Sequence, residues 1–246
     1  MKVKLVSITS SLIEDKQGNK LTPEQLLVYV ARVSNPSNQG SNKNVEKLLK
    51  YCIEHNHWSV FEQVELTFEI TTSRDIITQI LRHRTAVFQQ FSNRYAKSLE
   101  YEPIEIRFQD TKNRQNSYGV VANYDKDLNL LDVINKDKTD LTKEQYCELV
   151  SMLQELSHHS KEILKLYDRI TEAPYNVAKE CVRFFIGGGI SSTLYMKNNL
   201  RNFIFYTDVR ALGEGVQKEH REIAIEIRNQ LKELFPTVFS SLDNYK

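Results

Sequence analysis

The chain has 246 residues, 40% of them hydrophobic and 26% charged, a composition typical of an ordinary soluble globular protein with a buried core. Its formal net charge of +1 excludes a global electrostatic attraction to nucleic acid, so any anion site must be local. Its apolar runs fall short of the ~20 residues that cross a membrane. We therefore expect no membrane partner and no nucleic-acid partner.

Strands and helices alternate in the predicted N-terminal third. Alternating valine and leucine in MKVKLVSITSSL favour a first strand. Thr22-Pro23-Glu24-Gln25 predicts a helix start, with Thr as N-cap and Pro at the first helical position, and this helix should end near Ser34. A second amphipathic helix is predicted over NVEKLLKYCIEH and a half-exposed strand over 64–70. Thr72-Ser73-Arg74-Asp75 can cap a third helix.

The rest of the chain is predicted to be mainly helical. Residues 104–108 favour a short strand, and the polar segment 123–140 has no clear period and predicts a surface excursion. Thr142-Lys143-Glu144-Gln145 predicts a capping box that opens a helix reaching Ile170. Further helices are predicted at 174–185, 193–209 and 216–234, the last ending before Pro236. We expect one α+β domain over 1–246, helix-rich, with a small antiparallel sheet and no Rossmann fold.

The cysteines and the N-terminus bear on location. Cys52, Cys147 and Cys181 are scattered and lack metal-ligand spacing, which is typical of reduced thiols in a cytoplasm. The N-terminal residues lack the sustained apolar run of a signal peptide. The His158-His159 pair has no third ligand in view, so we expect no metal. The sequence therefore predicts a cytoplasmic protein.

The densest group of chemically useful side chains lies at 79–95, QILRHRTAVFQQFSNRY. Three arginines, a histidine and several amides occur there without an acidic residue until Glu100. A guanidinium group can bind two phosphate oxygens at once, and a side-chain amide can form hydrogen bonds to the edge of a nitrogen heterocycle. A solvated basic turn would be the ordinary interpretation, but Val87, Phe88 and Phe91 indicate a packed segment. The segment predicts a site for a nucleotide phosphate and a flat ring.

Arg82-His83-Arg84, followed after seven residues by Ser92, resembles the RHR-x7-S motif of flavin-dependent thymidylate synthases. The resemblance extends to ARVS at 31–34, to HWSVFE at 57–62, to three later arginine positions and to QKEHREIA at 217–224. Together these matches span most of the chain. The resemblance implies an enzyme that methylates dUMP at C5 to dTMP, with FAD as cofactor, methylenetetrahydrofolate as carbon donor and NADPH as reductant. It also implies a homotetramer whose active sites lie between subunits.

The resemblance implies a role for each matched residue. Arg210 is the expected catalytic residue, facing the uracil ring. The residues expected to bind dUMP are Gln79, Arg82, Gln90, Ser92, Asn93, Arg94, Arg183 and Arg210. Those expected to contact FAD are Ser34, His57, Ser59, Arg82, His83, Arg84, Gln90, Asn199 and Arg201. Taken one at a time, several of these side chains would suit structural roles; their joint order along the chain favours the site.

Departures from the family pattern leave two alternatives open. Gln90 stands where the family often has a glutamate, and it can form hydrogen bonds but cannot act as a carboxylate. A relative that transfers another one-carbon group, for example one that makes 5-hydroxymethyl-dUMP, is one alternative. A nucleotide-binding or RNA-binding regulator that kept the fold and lost the chemistry is the other. Gly187-Gly188-Gly189 lacks the spacing and context of a phosphate-binding loop and predicts a helix break.

Overall fold

The computed structural model describes residues 1–41, 43–92, 94–95 and 99–243. The chain forms two compact units that are interleaved in sequence. Unit 1 contains Met1, Thr71–Ile80 and Gln90–Leu194, and unit 2 contains Lys2–Ile70, Leu81–Gln89 and Tyr195–Lys246. A search of the described residues for a helix long and apolar enough to span a bilayer finds none. That all of the chain forms one domain stays a prediction.

The helices and strands confirm the α+β class. The helices are α1 Pro23–Ala31, α2 Val45–Glu54, α3 Arg74–Ile80, α4 Lys143–Thr171, α5 Lys179–Val182, α6 Leu200–Thr207, α7 Lys218–Leu234 and α8 Pro236–Asp243. The strands are β1 Lys2–Ile8, β2 Glu65–Ser73, β3 Val87–Gln90, β4 Ile104–Gln109, β5 Ser117–Tyr124, β6 Leu130–Val133 and β7 Ser191–Asn199. They form small antiparallel sheets with the orders β1-β2-β7-β3 and β4-β5-β6, unlike the parallel sheet of a Rossmann fold.

Side-chain caps fix two helix starts as predicted. Thr22 accepts a hydrogen bond from the backbone N–H of Gln25, whose side chain accepts from the Thr22 N–H. Thr142 and Gln145 form the same reciprocal pair at the start of α4. Each box satisfies two backbone donors that a helix start otherwise leaves open. These local hydrogen bonds explain why both helices begin where the sequence predicts.

Unit 1 is built on the sheet β4-β5-β6, whose inner face packs on α4. Val121, Ala122 and Tyr124 are buried against Leu153 of α4. The Tyr124 hydroxyl donates to the Leu153 carbonyl at 2.8 Å, so the ring is buried without an unsatisfied polar group. A Cβ at Gly188 would lie 1.9 Å from a carboxylate oxygen of Asp75, so any other residue there would force that side chain to move.

Unit 2 has its own core, formed by aromatic and aliphatic side chains of its helices. α2 packs against α8, and α7 packs against both α6 and α8. Phe68 of β2 meets Phe203 of α6 edge-to-face, with ring centroids 5.1 Å apart. Glu24 of α1 accepts hydrogen bonds from the backbone N–H groups of Thr237 and Val238, which caps α8. The C-terminal helices are therefore tied to the N-terminal part of the same unit.

The helix predicted over 193–209 is wrong in its first half. Residues Ser191–Asn199 form strand β7, and helix α6 begins only at Leu200. The burial pattern explains the error: Leu194 and Met196 are buried, while Tyr195 and Lys197 are exposed. That two-residue alternation is the period of a strand, and tertiary pairing in a sheet overrides the weak local signal.

The segment 123–140 lies mostly at the surface as predicted, but it is not irregular, because it includes the end of β5 and all of β6. The two strands are joined by a turn in which Asp125 accepts hydrogen bonds from the backbone N–H groups of Asp127 and Asn129. Leu128 adopts a positive φ of 59° in this turn and is buried. The polar side chains of the segment organise the hairpin turn.

Two helix boundaries need correction. The helix predicted over 174–185 is limited to α5, Lys179–Val182, and a 3₁₀ turn at Arg183–Phe185. The predicted last helix is confirmed as α7, but a further helix, α8, begins at Pro236. Proline is favoured at the first position of a helix, since that residue's N–H has no partner within the helix. Pro236 thus separates two helices rather than ending the last one.

Candidate functional site

Arg210 lies in unit 2 on a π-helical turn, Asp208–Leu212, that continues directly from α6. The Arg221 guanidinium donates to the carbonyls of Ala211 and Gly213 at 3.1 and 2.8 Å, at the end of the turn. A Cβ at Gly213 would lie 2.1 Å from the Val209 carbonyl oxygen, so glycine allows this close approach. Such π turns inside helices occur often at functional sites.

The Arg210 guanidinium contacts the central histidine of the RHR motif. Its Nε–H donates to His83 Nε2 at 3.0 Å, across 127 positions of sequence. The His83 ring in turn packs edge-on against Tyr206, with centroids 4.7 Å apart and an angle of 82° between the planes. Tyr206 and Arg210 are four residues apart, and the structure places His83 against both.

The groups around His83 are buried, and their pKa values are shifted accordingly. Burial, reinforced by the positive charge of Arg210, lowers the pKa of His83 to about 4. Burial and then the charges of Arg210 and His83 lower the pKa of His220 to about 3. Burial raises the pKa of Tyr206, whose hydroxyl lies 3.1 Å from His220 Nε2. At neutral pH, therefore, both imidazoles and the phenol are uncharged beside one permanent cation.

Two residues expected to contact the flavin, Asn199 and Arg201, lie at the start of α6. Asn199 is the N-cap, and its side chain accepts a hydrogen bond from the Asn202 N–H at 3.0 Å. Arg201 forms an ion pair with Glu62, the last residue of the HWSVFE motif. The structure thus joins two motifs that the sequence analysis identified separately.

Ser34 and His57 also lie in unit 2. Ser34 lines a pocket of about 500 Å³ together with Arg32, Lys47 and Tyr51. The Tyr51 ring packs edge-on against His57, with centroids 5.6 Å apart. The pocket wall therefore carries two cationic side chains, Arg32 and Lys47, and through Tyr51 it reaches His57. Ser59 is exposed on the 3₁₀ helix Trp58–Gln63 that follows His57.

In unit 1 a single acidic residue joins two of the predicted phosphate-binding arginines. Glu180 Oε2 accepts from Arg94 Nε at 3.1 Å and lies 3.0 Å from its NH2. The Glu180 backbone carbonyl accepts from Arg183 Nε at 3.3 Å. Ser92 accepts a hydrogen bond from the Arg94 backbone N–H at 3.4 Å. Glu180 therefore contacts both arginines, Arg94 through its carboxylate and Arg183 through its backbone carbonyl, and Ser92 adjoins Arg94.

The remaining predicted residues that the structure describes lie on α3, at the end of β3 and beside His83. Gln79 lies on α3 and Gln90 is the last residue of β3, where its side chain is exposed. Arg82 and Arg84 are exposed on either side of His83. Asn93 lies outside the described residues. The RHR motif therefore has one half-buried side chain, that of His83, and two exposed arginine side chains.

Four residues at the site had no predicted role. Glu62 and Glu180 pair with predicted arginines, and Tyr206 and His220 surround His83. Local spacing offered a partial signal for two of them, because residues three or four apart share a helix face: Glu180 precedes Arg183 by three positions, and Tyr206 precedes Arg210 by four. His220 and Glu62 carry no such signal, since their partners lie far away in sequence.

Comparisons with known proteins agree on one family. The family model described as "Thymidylate synthase complementing protein" matches residues 18–237. A flavin-dependent thymidylate synthase of Synechocystis is 41% identical over 244 residues, which cover 99% of this chain and 100% of that protein. A probable flavin-dependent thymidylate synthase of Paramecium bursaria Chlorella virus 1 is 39% identical over 99% of each.

A solved structure is similar in fold. It is the crystal structure of a UMP/dUMP methylase, PolB from Streptomyces cacaoi, bound with 5-Br dUMP. The TM-score is 0.66, and the match covers 99% of this chain and 94% of that one at 17% sequence identity. At this identity the similarity concerns the fold alone.

The two buried histidines predict a loss of stability in acid. Their pKa values in the folded protein, about 4 and about 3, lie below the ~6.5 of an unfolded chain. The unfolded state therefore binds more protons below pH ~6.5, and each histidine removes up to about 1.4 kcal/mol of stability per pH unit there. His220→Gln should shallow this fall in urea midpoints between pH 6.5 and 4, whereas His158→Gln, at an exposed histidine, should not. Identical slopes for the two variants would contradict the prediction.

Proposed function

This chain belongs to the thymidylate synthase complementing protein family, and we propose that it is a flavin-dependent thymidylate synthase that methylates dUMP at C5. In this proposal methylenetetrahydrofolate donates the carbon, FAD carries the hydride and NADPH is the reductant. Full-length similarity to two proteins named as flavin-dependent thymidylate synthases supports it. The observation that carries it is the hydrogen bond between Arg210 and His83, which joins the RHR motif to the expected catalytic residue.

Arg210 is the proposed catalytic residue because of the charge it presents. C5 of neutral uracil is a poor nucleophile, and an anion that develops at N3 and O4 increases the electron density at C5. A guanidinium held against that edge stabilises the anion more in the transition state than in bound dUMP. The neutral His83 acceptor leaves the positive charge of Arg210 undiminished, and the supported π turn fixes the position of its backbone.

The phosphate of dUMP is assigned to Ser92, Arg94 and Arg183, and also to Asn93, which lies between the first two in sequence. In unit 1 Arg94 and Arg183 both contact Glu180 and Ser92 adjoins Arg94, and each guanidinium can bind two phosphate oxygens at once. The Arg94–Glu180 ion pair is exposed, so it contributes at most about 1 kcal/mol, and a phosphate can replace the carboxylate at small cost. Gln79, Arg82 and Gln90 complete the proposed dUMP contacts with hydrogen-bonding side chains.

The residues proposed for FAD have the donors that the group needs. Arg82, Arg84 and Arg201 supply charge for a pyrophosphate, and the pocket at Ser34 adds Arg32 and Lys47. His57, Ser59, His83, Gln90 and Asn199 are the other proposed contacts. When bound, a reduced flavin supplies the hydride that converts a methylene to a methyl group. The chain's own part is to bind and orient the rings and to hold Arg210 against the uracil edge.

A homotetramer in the cytoplasm is the proposed form of the enzyme. An apolar groove of about 500 Å³ in unit 1 is lined by Leu166 and Ile170 of α4 together with Tyr175, Val182 and Phe185. Leu166 and Phe185 are 57% and 74% exposed, which is unusual for large apolar side chains clustered on one surface. Contact with other copies of the chain would cover this groove.

The first test is of the cofactor and the product. Protein reconstituted with FAD should keep its flavin absorption through gel filtration and release the flavin on denaturation. With dUMP, methylenetetrahydrofolate and NADPH it should then form dTMP, measured by chromatography. A colourless protein would contradict the flavin assignment. A 5-hydroxymethyl product would indicate a different one-carbon transfer, and failure to oxidise NADPH in the presence of dUMP would favour a regulator.

The ring and phosphate assignments predict different kinetics for two matched variants. Arg210→Lys keeps the charge but replaces the planar guanidinium, so kcat for dTMP formation should fall ~10²–10³-fold. Arg183→Lys weakens a phosphate contact made equally in the ground and transition states, so it should mainly raise KM for dUMP. Flavin content is measured first in both. Near-normal turnover in Arg210→Lys with turnover abolished in Arg183→Lys would show that the two roles are wrongly assigned.

If the enzyme is a homotetramer, light scattering should give a mass of about four times that of the 28.7 kDa chain. Leu166→Glu places a charge in the apolar groove and should reduce that mass, because burying an unpaired carboxylate is costly. Leu131→Glu is the matched control, since Leu131 of β6 is similarly exposed but lies outside the groove. A catalytically active monomer would refute the shared site. An unchanged mass in Leu166→Glu would refute the proposed interface at this groove.

A further inference from the structure

We infer that Tyr206 and His220 are positioning residues, which hold His83 in the one tautomer that can accept the Arg210 Nε–H. Neither residue is among the proposed contacts of dUMP or FAD. The inference deepens the proposed function, because it rests on Arg210 for its kinetic consequence. Its structural part, the state of the His83 ring, can be tested without any turnover.

The hydrogen bond sets a strict requirement on the His83 ring. Arg210 has N–H donors and no acceptor, so His83 Nε2 must carry a lone pair. His83 must therefore be neutral, with its proton on Nδ1. In the other tautomer, or in the imidazolium, two N–H groups would face each other and the 3.0 Å contact would be lost. Because the guanidinium is planar and rigid, the direction of its Nε–H bond also fixes where the opposite edge points.

Tyr206 supports the His83 ring from α6. The rings meet edge-to-face at 4.7 Å, a favourable arrangement for two aromatic groups. Tyr206 is 1% exposed, so its hydroxyl needs a partner within the protein. That partner is His220 Nε2 on α7, at 3.1 Å, and His220 itself is fully buried. A chain of contacts therefore runs from α7 through the Tyr206 ring to His83.

The residues that support His83 must be uncharged because they lie close to the cationic Arg210. Among the residues that the structure describes, the charged and titratable groups that face His83 are Arg210 from the π turn, Tyr206 from α6 and His220 from α7. Arg210 is permanently cationic, so a proton on either imidazole would place two cations within one buried cluster. Burial lowers the pKa of both histidines, which keeps them neutral at working pH. An acidic residue in place of His220 would neutralise part of the charge of Arg210.

The test follows the His83 ring by NMR in protein labelled with ¹⁵N-histidine, without added nucleotide. In the unaltered chain, His83 should carry its proton on Nδ1 at pH 8 and stay neutral to about pH 5. His220→Leu removes the partner of the Tyr206 hydroxyl, so His83 should gain the Nε2–H tautomer and titrate at least one pH unit higher. His220→Gln can place an amide near the lost Nε2 and should restore the original tautomer.

Tyr206→Phe keeps the ring and removes the hydroxyl. It tests the same hydrogen bond if His220→Leu fails to fold. It should shift the His83 tautomer in the same direction, to a smaller extent. Tyr195→Phe is the matched control, because it removes a tyrosine hydroxyl bound to Glu69 elsewhere in the same unit. The inference is overturned if His83 keeps its tautomer and titration in both Tyr206→Phe and His220→Leu.

Kinetics then separate the inference from the proposed function. In His220→Leu, kcat for dTMP formation should fall about tenfold with little change in KM for dUMP, and His220→Gln should recover it. A changed His83 tautomer with unchanged kcat would support the positioning role and contradict the ring role of Arg210. An unchanged tautomer with a tenfold loss of kcat would overturn the inference, since His220 would then act by another route.

Discussion

The hydrogen bond from Arg210 to His83 constrains much of unit 2. A guanidinium that donates to an imidazole requires that imidazole to be neutral, and burial and the charge of Arg210 both favour that neutral form of His83. Burial in turn obliges every other polar group nearby to find a partner, which is how Tyr206 and His220 come to be bonded to each other in the core. A single contact 127 positions apart in sequence thereby accounts for polar residues that hydrophobicity alone would place at the surface.

The same constraint extends to the backbone that carries Arg210. The helix that carries Arg210 ends at the π turn Asp208–Leu212, where the last carbonyls lack helical donors, and Arg221 donates there to Ala211 and to the following Gly213. At the start of the turn Arg228, 5% exposed, pairs with Asp208 at 2.9 Å and with Asp243 at 3.1 Å. Its guanidinium also lies over the Phe239 ring of α8 at 5.1 Å. Arg221 and Arg228 of α7 thus stabilise the turn that carries Arg210.

Sequence reasoning succeeded where the interaction is local. The capping boxes at Thr22 and Thr142 place both partners within four residues, so the helix starts could be predicted. It failed at β7, whose strand state depends on pairing with residues distant in sequence, and at β6, where polar side chains form a turn rather than a loop. The motifs indicated the arginines of the site. They could not indicate Glu62 or His220 as partners, because those pairings exist only after folding.

Three arginines of the proposed site have side-chain partners of different charge. Arg94 and Arg201 are held by carboxylates, whereas Arg210 is held by a neutral imidazole. A carboxylate fixes a guanidinium but cancels its charge, which is tolerable where a ligand phosphate is already fully charged on binding and can displace it. In the proposed reaction, charge at the uracil edge develops only on the way to the transition state, which a guanidinium neutralised by a carboxylate would leave unstabilised. Under that proposal a neutral acceptor fixes Arg210 without that loss, which gives a physical reason for a histidine, rather than an aspartate or glutamate, at position 83.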